Sequence, residues 1–394
     1  MTYQVKKYSF ADKFICLGDK CEDTCCKGWG MQLDSVRKDL YEKEAPELLS
    51  AITTGEAEII MKRDPQTDYC VKFSEGICSI HKERSDKFLG DACHFYPRIT
   101  RSFGGSFIMS AAASCPEIVR LALFEEDAFS LNKNDIDRIP VKVKDYIPKN
   151  MTSEKAEEIM AAFINIASDE NTKPERIMAK IISVSNSLSN YQPERWSEGL
   201  PILIKMADGR LPEPETNHMD YYNLLHSFAA LIYAAKKTER TRLEKVLNKI
   251  EEAIGIEINM QTLDMALNKD RENACAELEE KWLNNSSDKL APILRRWLQL
   301  QLAMASFPFA GFGRNINEVA TIIAVRFAFV RLALMSHMDE EGNPPDKEII
   351  VRVIQSIARF IDHLADPELS INIYKENEWM REPRLRALIG DFIV

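Results

Sequence analysis

The chain has 394 residues, 45% of them hydrophobic and 28% charged, and a formal net charge of −10. That composition excludes wholesale disorder, collagen and low-complexity polymers. The acidic balance argues against a nucleic-acid binder and against charge-driven docking on anionic lipid, since both need a basic surface. Residues 16–30 then read as irregular, with four cysteines and a Gly28-Trp29-Gly30 run in a short span. Leu33 to Ile60 reads as helical, with Val36, Leu40, Leu48, Leu49 and Ile52 at helical spacing. Residues 99–110 are two short β-prone runs around Gly104-Gly105, the signature of a hairpin whose turn needs positive φ. Ser114-Cys115-Pro116-Glu117 opens a helix expected to reach Phe124, with proline at its start and a glutamate suited to the dipole.

Beyond residue 125 the pattern is almost entirely helical. Leu243, Val246, Leu247, Ile250 and Ile254 form an apolar stripe that stops at Gly255. Ile350, Val353, Ile354, Ile357, Ile361 and Leu364 form another after the Asn343-Pro344-Pro345-Asp346 breaker. Asn315 with Glu318 resembles a capping box before the run from Val319. Residues 126–150, 168–174 and 208–217 read as hinges or loops. The most apolar segment, Ala320 to Met335, carries Arg326 and Arg331, so a spanning helix is not expected. The opening MTYQVKKYSFADKF has no apolar leader, and the expected location is cytoplasmic. The expected fold is mainly α: a cysteine-rich irregular N-terminal region with a small β-hairpin, followed by a multi-helix body. The expected division is a cysteine-rich metal- or Fe–S-binding domain over residues 1–125 and an all-α helical domain over 126–394.

The cysteines carry the chemistry. Eight of the nine, Cys16, Cys21, Cys25, Cys26, Cys70, Cys78, Cys93 and Cys115, lie in the first 115 residues, and Cys275 stands alone. Charge divides at the same place: residues 1–120 hold 17 Lys+Arg and 18 Asp+Glu, leaving 34 and 43 for the remainder. In a reducing compartment, clustered thiols point to metal ligation or redox chemistry rather than to disulfides. Many thiolates with few histidines suit an iron–sulfur cluster or zinc and are poor for magnesium or calcium. The spacings match neither paired C-x2-C zinc knuckles nor the ferredoxin runs, so the metal and the number of sites stay open. Packing of cysteine as a small hydrophobe is the competing account. His81 and His94 follow Cys78 and Cys93 and are further candidate ligands. Cys275 and the histidines at 218, 226, 337 and 363 read as bystanders.

FICLGDKCEDTCCKGW, YCVKFSEGICSIHKERSDKFLGDACHFYPR and SCPEIVRLAL together resemble the flagellin lysine-N-methylases and a wider group of zinc- or iron-chelating cysteine domains. The residues that carry the resemblance are Cys25-Cys26, Cys70, Gly76-Ile77-Cys78-Ser79-Ile80, Cys93-His94-Phe95-Tyr96-Pro97-Arg98 and Ser114-Cys115-Pro116-Glu117. A weaker echo is Phe307-Pro308-Phe309. The resemblance implies transfer of methyl from S-adenosylmethionine to lysine amines of a protein such as flagellin. It also implies a cysteine-bound iron–sulfur cluster (4Fe-4S), with zinc as the alternative. The residues independently support a thiolate-rich site, but no G-x-G lies between a strand and a helix to cradle S-adenosylmethionine: Gly28-Trp29-Gly30 and Gly311-Phe312-Gly313 are both poorly placed. Chelation of the donor by an open iron of a three-thiolate cluster is one route around this. A lysine must also be neutral to attack, and His94, Tyr96 and Glu117 are candidate bases. Two further readings compete with the enzyme: a metal-stapled partner-binding protein, and an Fe–S redox or sensor protein.

Overall fold

In the computed structural model of the chain, the residues described are 2–55, 58–209, 211, 214–215, 220–228, 241–259, 265–267, 273–311, 314–364 and 366–391. They gather into two units, Met1–Leu121 with Glu126–Asp145, and Ala122–Glu125 with Tyr146–Val394.

The first unit opens with β1 (Tyr3–Tyr8) and a short helix α1 (Ser9–Asp12). Helix α2 (Ser35–Glu44) is capped by Asp34, whose carboxylate accepts from the Arg37 N–H at 2.9 Å. It does not continue to residue 60 as its apolar spacing suggests. Ala45 precedes Pro46, which excludes it from helical backbone, and it sits at φ −151°, ψ 56°. A 3-10 turn follows (Pro46–Ala51), and then two strands, β2 (Ile52–Thr54) and β3 (Ile59–Met61), pair antiparallel. The apolar residues at 48–52 are therefore shared between a turn and a β-branched strand, a combination that mimics helical periodicity.

Two further short strands, β4 (Phe73–Ser74) and β5 (Ile77–Cys78), turn through Glu75 and Gly76, both at positive φ. Helices α3 (Ser79–Glu83) and α4 (Asp91–Phe95) lead to the expected hairpin, β6 (Arg98–Phe103) and β7 (Ser106–Ala111). Gly104 and Gly105 make its turn at φ 63° and 89°. Helix α5 (Pro116–Phe124) starts at its expected proline. Residues 126–150, read from sequence as a loop, contain β8 (Leu131–Ile136), which pairs antiparallel with β1 from Tyr3↔Ile136 to Tyr8↔Leu131. The hairpin thereby extends into a four-stranded mixed sheet of order β6-β7-β1-β8, in which β1 runs parallel to β7. LNKNDI shows no apolar alternation because it is a largely exposed edge strand.

The second unit is mainly helical rather than all-α, with one short antiparallel strand pair, Ile256–Ile258 and Met265–Leu267. Its helices include Ser153–Ala167, Pro174–Leu188, Trp196–Gly209, Thr241–Ile254, Ser287–Met304, Ile316–Met335 and Lys347–Leu364. The 241–254 stripe is buried along its length, and Gly255 ends that helix at φ 66°. Ile350, Val353, Ile354, Ile357 and Ile361 are buried on the Lys347–Leu364 helix. Asn315 caps the next-to-last long helix through the Glu318 N–H at 2.9 Å. No described helix is long and apolar enough to cross a membrane. The two arginines of Ile316–Met335 are instead buried with partners. Arg326 meets Asp362 at 2.8 Å, and Arg331 meets Glu175 at 3.0 Å and Glu279 at 2.7 Å while its guanidinium lies over Trp282.

Candidate functional site: a thiol-lined cavity

The turns of the first unit bring cysteines from three sequence segments around one cavity of about 430 Å³. Seven of the eight N-terminal cysteines line it: Cys16, Cys21, Cys25, Cys26, Cys70, Cys78 and Cys93. Backbone pairing does the gathering. The Cys70 N–H donates to the Cys26 carbonyl at 2.9 Å, and Phe73 pairs with Cys78 across the β4–β5 turn. Gly90 lets the loop before α4 lie against Gln32 and Leu33; a Cβ there would stand 2.9 Å from Leu33 Cδ1 and 3.2 Å from the Gln32 carbonyl.

Seven of the eight thiols fall into two overlapping groups, Cys25 lining the cavity apart from both. Cys26, Cys70, Cys78 and Cys93 pack on one apolar core with Met31, Tyr41, Met61 and Ile80. Burial raises the thiol pKa of Cys93, with the charges of Cys26, Cys78 and Cys70 adding to the rise. Burial likewise raises Cys70 and Cys78. Cys16 and Cys21 lie near Cys115, and Cys16 also acts electrostatically on Cys78 of the first group. Burial pushes Cys115 up to about 12 against the backbone N–H groups of Glu117 and Ile118, and Cys21 and Cys16 act on it electrostatically. Cys115 does not line the cavity, and Cys16 is exposed. Among the described residues, no three His, Cys, Asp or Glu side chains are grouped tightly enough to hold a metal ion as they stand.

Aromatic and cationic side chains complete the wall. Trp29 and Tyr96 face each other with ring centroids 5.8 Å apart, and the Trp29 indole donates to the Cys25 carbonyl at 2.5 Å. Tyr41 is fixed by donation to the Phe88 carbonyl at 2.8 Å. Lys72 and Arg98 also line the cavity. The segment that carries Cys93 is clamped from outside by Arg138, which donates to Asp91 at 2.8 Å and to the Leu89 carbonyl at 2.9 Å and lies over the Phe95 ring at 5.5 Å.

Of the candidate bases, His94 and Tyr96 line the cavity. Burial, aided by Arg138, lowers the His94 pKa from its ordinary 6.5, which favours a neutral imidazole; Asp86 lies 3.6 Å from its Nδ1. The Tyr96 hydroxyl is 3.1 Å from Ser114 Oγ. Glu117 is not at the cavity; it pairs with Arg120, which also holds Glu22. His81 lines the cavity beside Cys78. Cys275 lies in the second unit on Ala274–Lys281, away from any other thiol in sequence. His226 stacks on Tyr222 and His337 bonds the Ala333 carbonyl, while His218 and the His363 side chain lie outside the described residues, as do Phe312 and Gly313. Arg98 stands in the Tyr96-Pro97-Arg98 run that carries the resemblance, though nothing in that run marks it as a wall residue, and Lys72 and Tyr41 carry no sequence signal of their own.

A cysteine-rich α/β module and a mainly helical unit thus define the class: a two-unit protein with a thiol-lined, small-molecule-sized cavity. Residues 161–380 match the family model of the FliB lysine N-methylase C-terminal domain, and the chain belongs to that family. The match falls on the helical unit, whereas the motifs that carry the sequence resemblance lie between residues 14 and 122. A lysine-N-methylase of Salmonella typhimurium is 27% identical over 146 residues, 34% of this chain and 35% of that protein. The flagellar biosynthetic protein FliU of Salmonella muenchen is 27% identical over 143 residues, 33% of this chain and 82% of FliU. The matched region thus spans about a third of the Salmonella typhimurium relative. No solved structure matches the chain.

Proposed function

We propose that the chain methylates lysine side chains of a protein substrate such as flagellin, with S-adenosylmethionine as methyl donor and an iron–sulfur cluster at the cysteines. Membership of the FliB lysine N-methylase family supports lysine methylation. The observation that carries the assignment of the site is the convergence of seven thiols on one cavity of about 430 Å³, within the size range of small-molecule sites.

Seven thiols around one cavity make a sulfur-dominated donor set, which suits an iron–sulfur cluster or zinc, and the family resemblance favours the cluster. Cys26, Cys70, Cys78 and Cys93 are the set we assign to it, because they share one buried core. A cluster bound there supplies a redox-active centre and ties together the segments that carry Cys26, Cys70–Cys78 and Cys93.

S-adenosylmethionine supplies an electrophilic methyl group on a sulfonium. The chain's own residues then have three tasks. Trp29 and Tyr96 offer aromatic faces to a cation. The apolar wall of Phe14, Met31 and Met61 excludes water. A substrate lysine must lose its proton before its nitrogen lone pair forms the new N–C bond, as the S–CH3 bond breaks and the sulfonium leaves as the neutral thioether. His94, whose neutral form burial favours, is the cavity base suited to receive the proton.

The test is anaerobic purification with iron and sulfide quantified per chain, then incubation with methyl-labelled S-adenosylmethionine and flagellin. Label in flagellin lysines with stoichiometric iron and sulfide supports the reading. Stoichiometric zinc without sulfide and without transferred label refutes it and favours a metal-stapled binding protein.

A further inference from the structure

Arg98 is a cavity residue with N–H donors left over among the described residues. It begins β6 directly after the Tyr96–Pro97 pair and lines the cavity. Its Nε donates to the Ala11 carbonyl at 3.2 Å and its Nη2 to the Phe14 carbonyl at 2.8 Å, and the guanidinium lies over the Phe14 ring at 5.0 Å. Those contacts fix the plane of the group and use two of its five N–H donors. Nη1 donates to nothing among the described residues, and no described carboxylate forms an ion pair with Arg98. The nearby acid, Asp12, is already bonded to Lys7 and to Asn134. A guanidinium held in place with a free edge is preorganised for planar, bidentate recognition of a carboxylate. Lys72 is the other cation of the wall, and the acid there, Asp86, is largely exposed beside His94, so no lining carboxylate neutralises Arg98.

We infer that Arg98 is the carboxylate-binding residue of the cavity, and that it takes the α-carboxylate of the amino-acid portion of the methyl donor. The inference rests on the reading of the cavity as the donor site. Binding the amino-acid end at Arg98 leaves the rest of the ligand to the Trp29–Tyr96 wall, where a sulfonium and a purine both find aromatic faces.

The experiment measures equilibrium binding of S-adenosylmethionine and of decarboxylated S-adenosylmethionine to the full chain, purified without oxygen, as wild type, Arg98→Gln and Arg98→Lys. Wild type binds the intact donor about tenfold to a hundredfold more tightly than the decarboxylated one, the preference of a charge-assisted bidentate contact. Arg98→Gln loses that preference while keeping its affinity for the decarboxylated donor, and Arg98→Lys keeps part of it. Loss of both ligands in parallel in Arg98→Lys would make Arg98 a structural strut for the Ala11–Phe14 turn and overturn the inference. So would a preference undiminished in Arg98→Gln, which would put the carboxylate elsewhere, on iron included. Should Arg98→Gln not fold, the wild-type comparison still decides, because no preference there overturns the inference. A wild type that binds neither donor refutes the donor-site reading itself, and the inference with it.

Discussion

Replacing Arg138 by Met tests whether the thiol cavity depends on a clamp that no cysteine pattern reveals. Arg138 follows β8 and holds the turn that presents Cys93 through Asp91 at 2.8 Å, the Leu89 carbonyl at 2.9 Å and the Phe95 ring at 5.5 Å. The ion pair is well shielded, with side-chain exposures of 14% and 20%, so solvent screening reduces it little. A charged hydrogen bond of this kind contributes about 1.5–3 kcal/mol and a cation–π contact about 0.5–1 kcal/mol. The contributions overlap on one side chain, and Asp91 keeps its bond from the Val141 N–H at 2.6 Å, so the net loss is about 3 kcal/mol. At about 3–4 °C per kcal/mol for a unit near this size, the Tm of the first unit falls by about 10 °C. Differential scanning calorimetry reads the shift. Labelling of Cys93 by a maleimide, followed by peptide mass spectrometry, reads the local opening: Cys93 is shielded in the native protein and reacts faster in Arg138→Met. An unchanged Tm together with an unchanged Cys93 labelling rate would refute the clamp.

The remaining predictions follow from the same geometry. Gly90→Ala drives a Cβ into the Leu33 backbone region and destabilises the protein by about 1–3 kcal/mol, whereas Gly199→Ala, where a Cβ meets nothing within 4 Å on a helix, stabilises it by about 0.5–1 kcal/mol; urea midpoints of opposite shift verify the pair, and midpoints of the same sign refute it. In metal-free protein under reductant, iodoacetamide modifies exposed Cys16 first and Cys93 and Cys115 last, because burial raises the last two; iron and sulfide loading then protects Cys26, Cys70, Cys78 and Cys93, and unaltered peptide labelling after loading counts against that ligand set. In the helical unit, burial pushes the Glu279 carboxyl up, but Arg331 and its hydrogen bonds more than reverse this, leaving Glu279 below its ordinary 4.5. A lowered folded-state value stabilises above about pH 4.5, and that contribution is lost as pH falls through the folded value. Arg331→Met removes the partner of two buried carboxylates, costs about 3–5 kcal/mol and flattens or inverts this acid dependence; a Tm-against-pH curve equal in slope to wild type between pH 3 and 5 (roughly the carboxylate range) would be inconsistent with it.

The elements legible in the sequence are those whose signal is local. The Gly104-Gly105 hairpin, the Pro116 helix start, the Asn315 cap and the stripes at 243–254 and 350–361 each depend on residues within a few positions of one another. Strand β8 was invisible because it is polar, and its place is set by β1, more than 120 residues earlier. In Leu33–Ile60 the apolar residues of a turn and a strand fall at helical intervals, and Pro46 is the local stop signal that ends the helix. At the site, clustering in the chain located the thiols that line the cavity, but not the separation of Cys115 from it, nor Arg98, whose role comes from two carbonyls at residues 11 and 14. The helical unit, which offered periodicity without motifs, is where the family match lies.

The long sequence separation of the thiols has an energetic consequence. Cys26 and Cys93 reach one core only when β2–β5 and α4 are in place, so the cavity exists in the folded unit and not in the unfolded chain. A ligand that binds only the folded state stabilises it by RT ln(1 + [L]/Kd), which is about 2.7 kcal/mol at a hundredfold excess over Kd. Meanwhile burial alone, by raising Cys70, Cys78 and Cys93, resists the deprotonation that thiolate ligation requires. Burial therefore favours the neutral thiols, and a group held by their thiolates would release protons as it binds. Proton release on anaerobic reconstitution, measured in a weakly buffered indicator solution, accompanies a rise in the Tm of the first unit; a rise in Tm with no proton release would place the bound group on residues other than these buried cysteines.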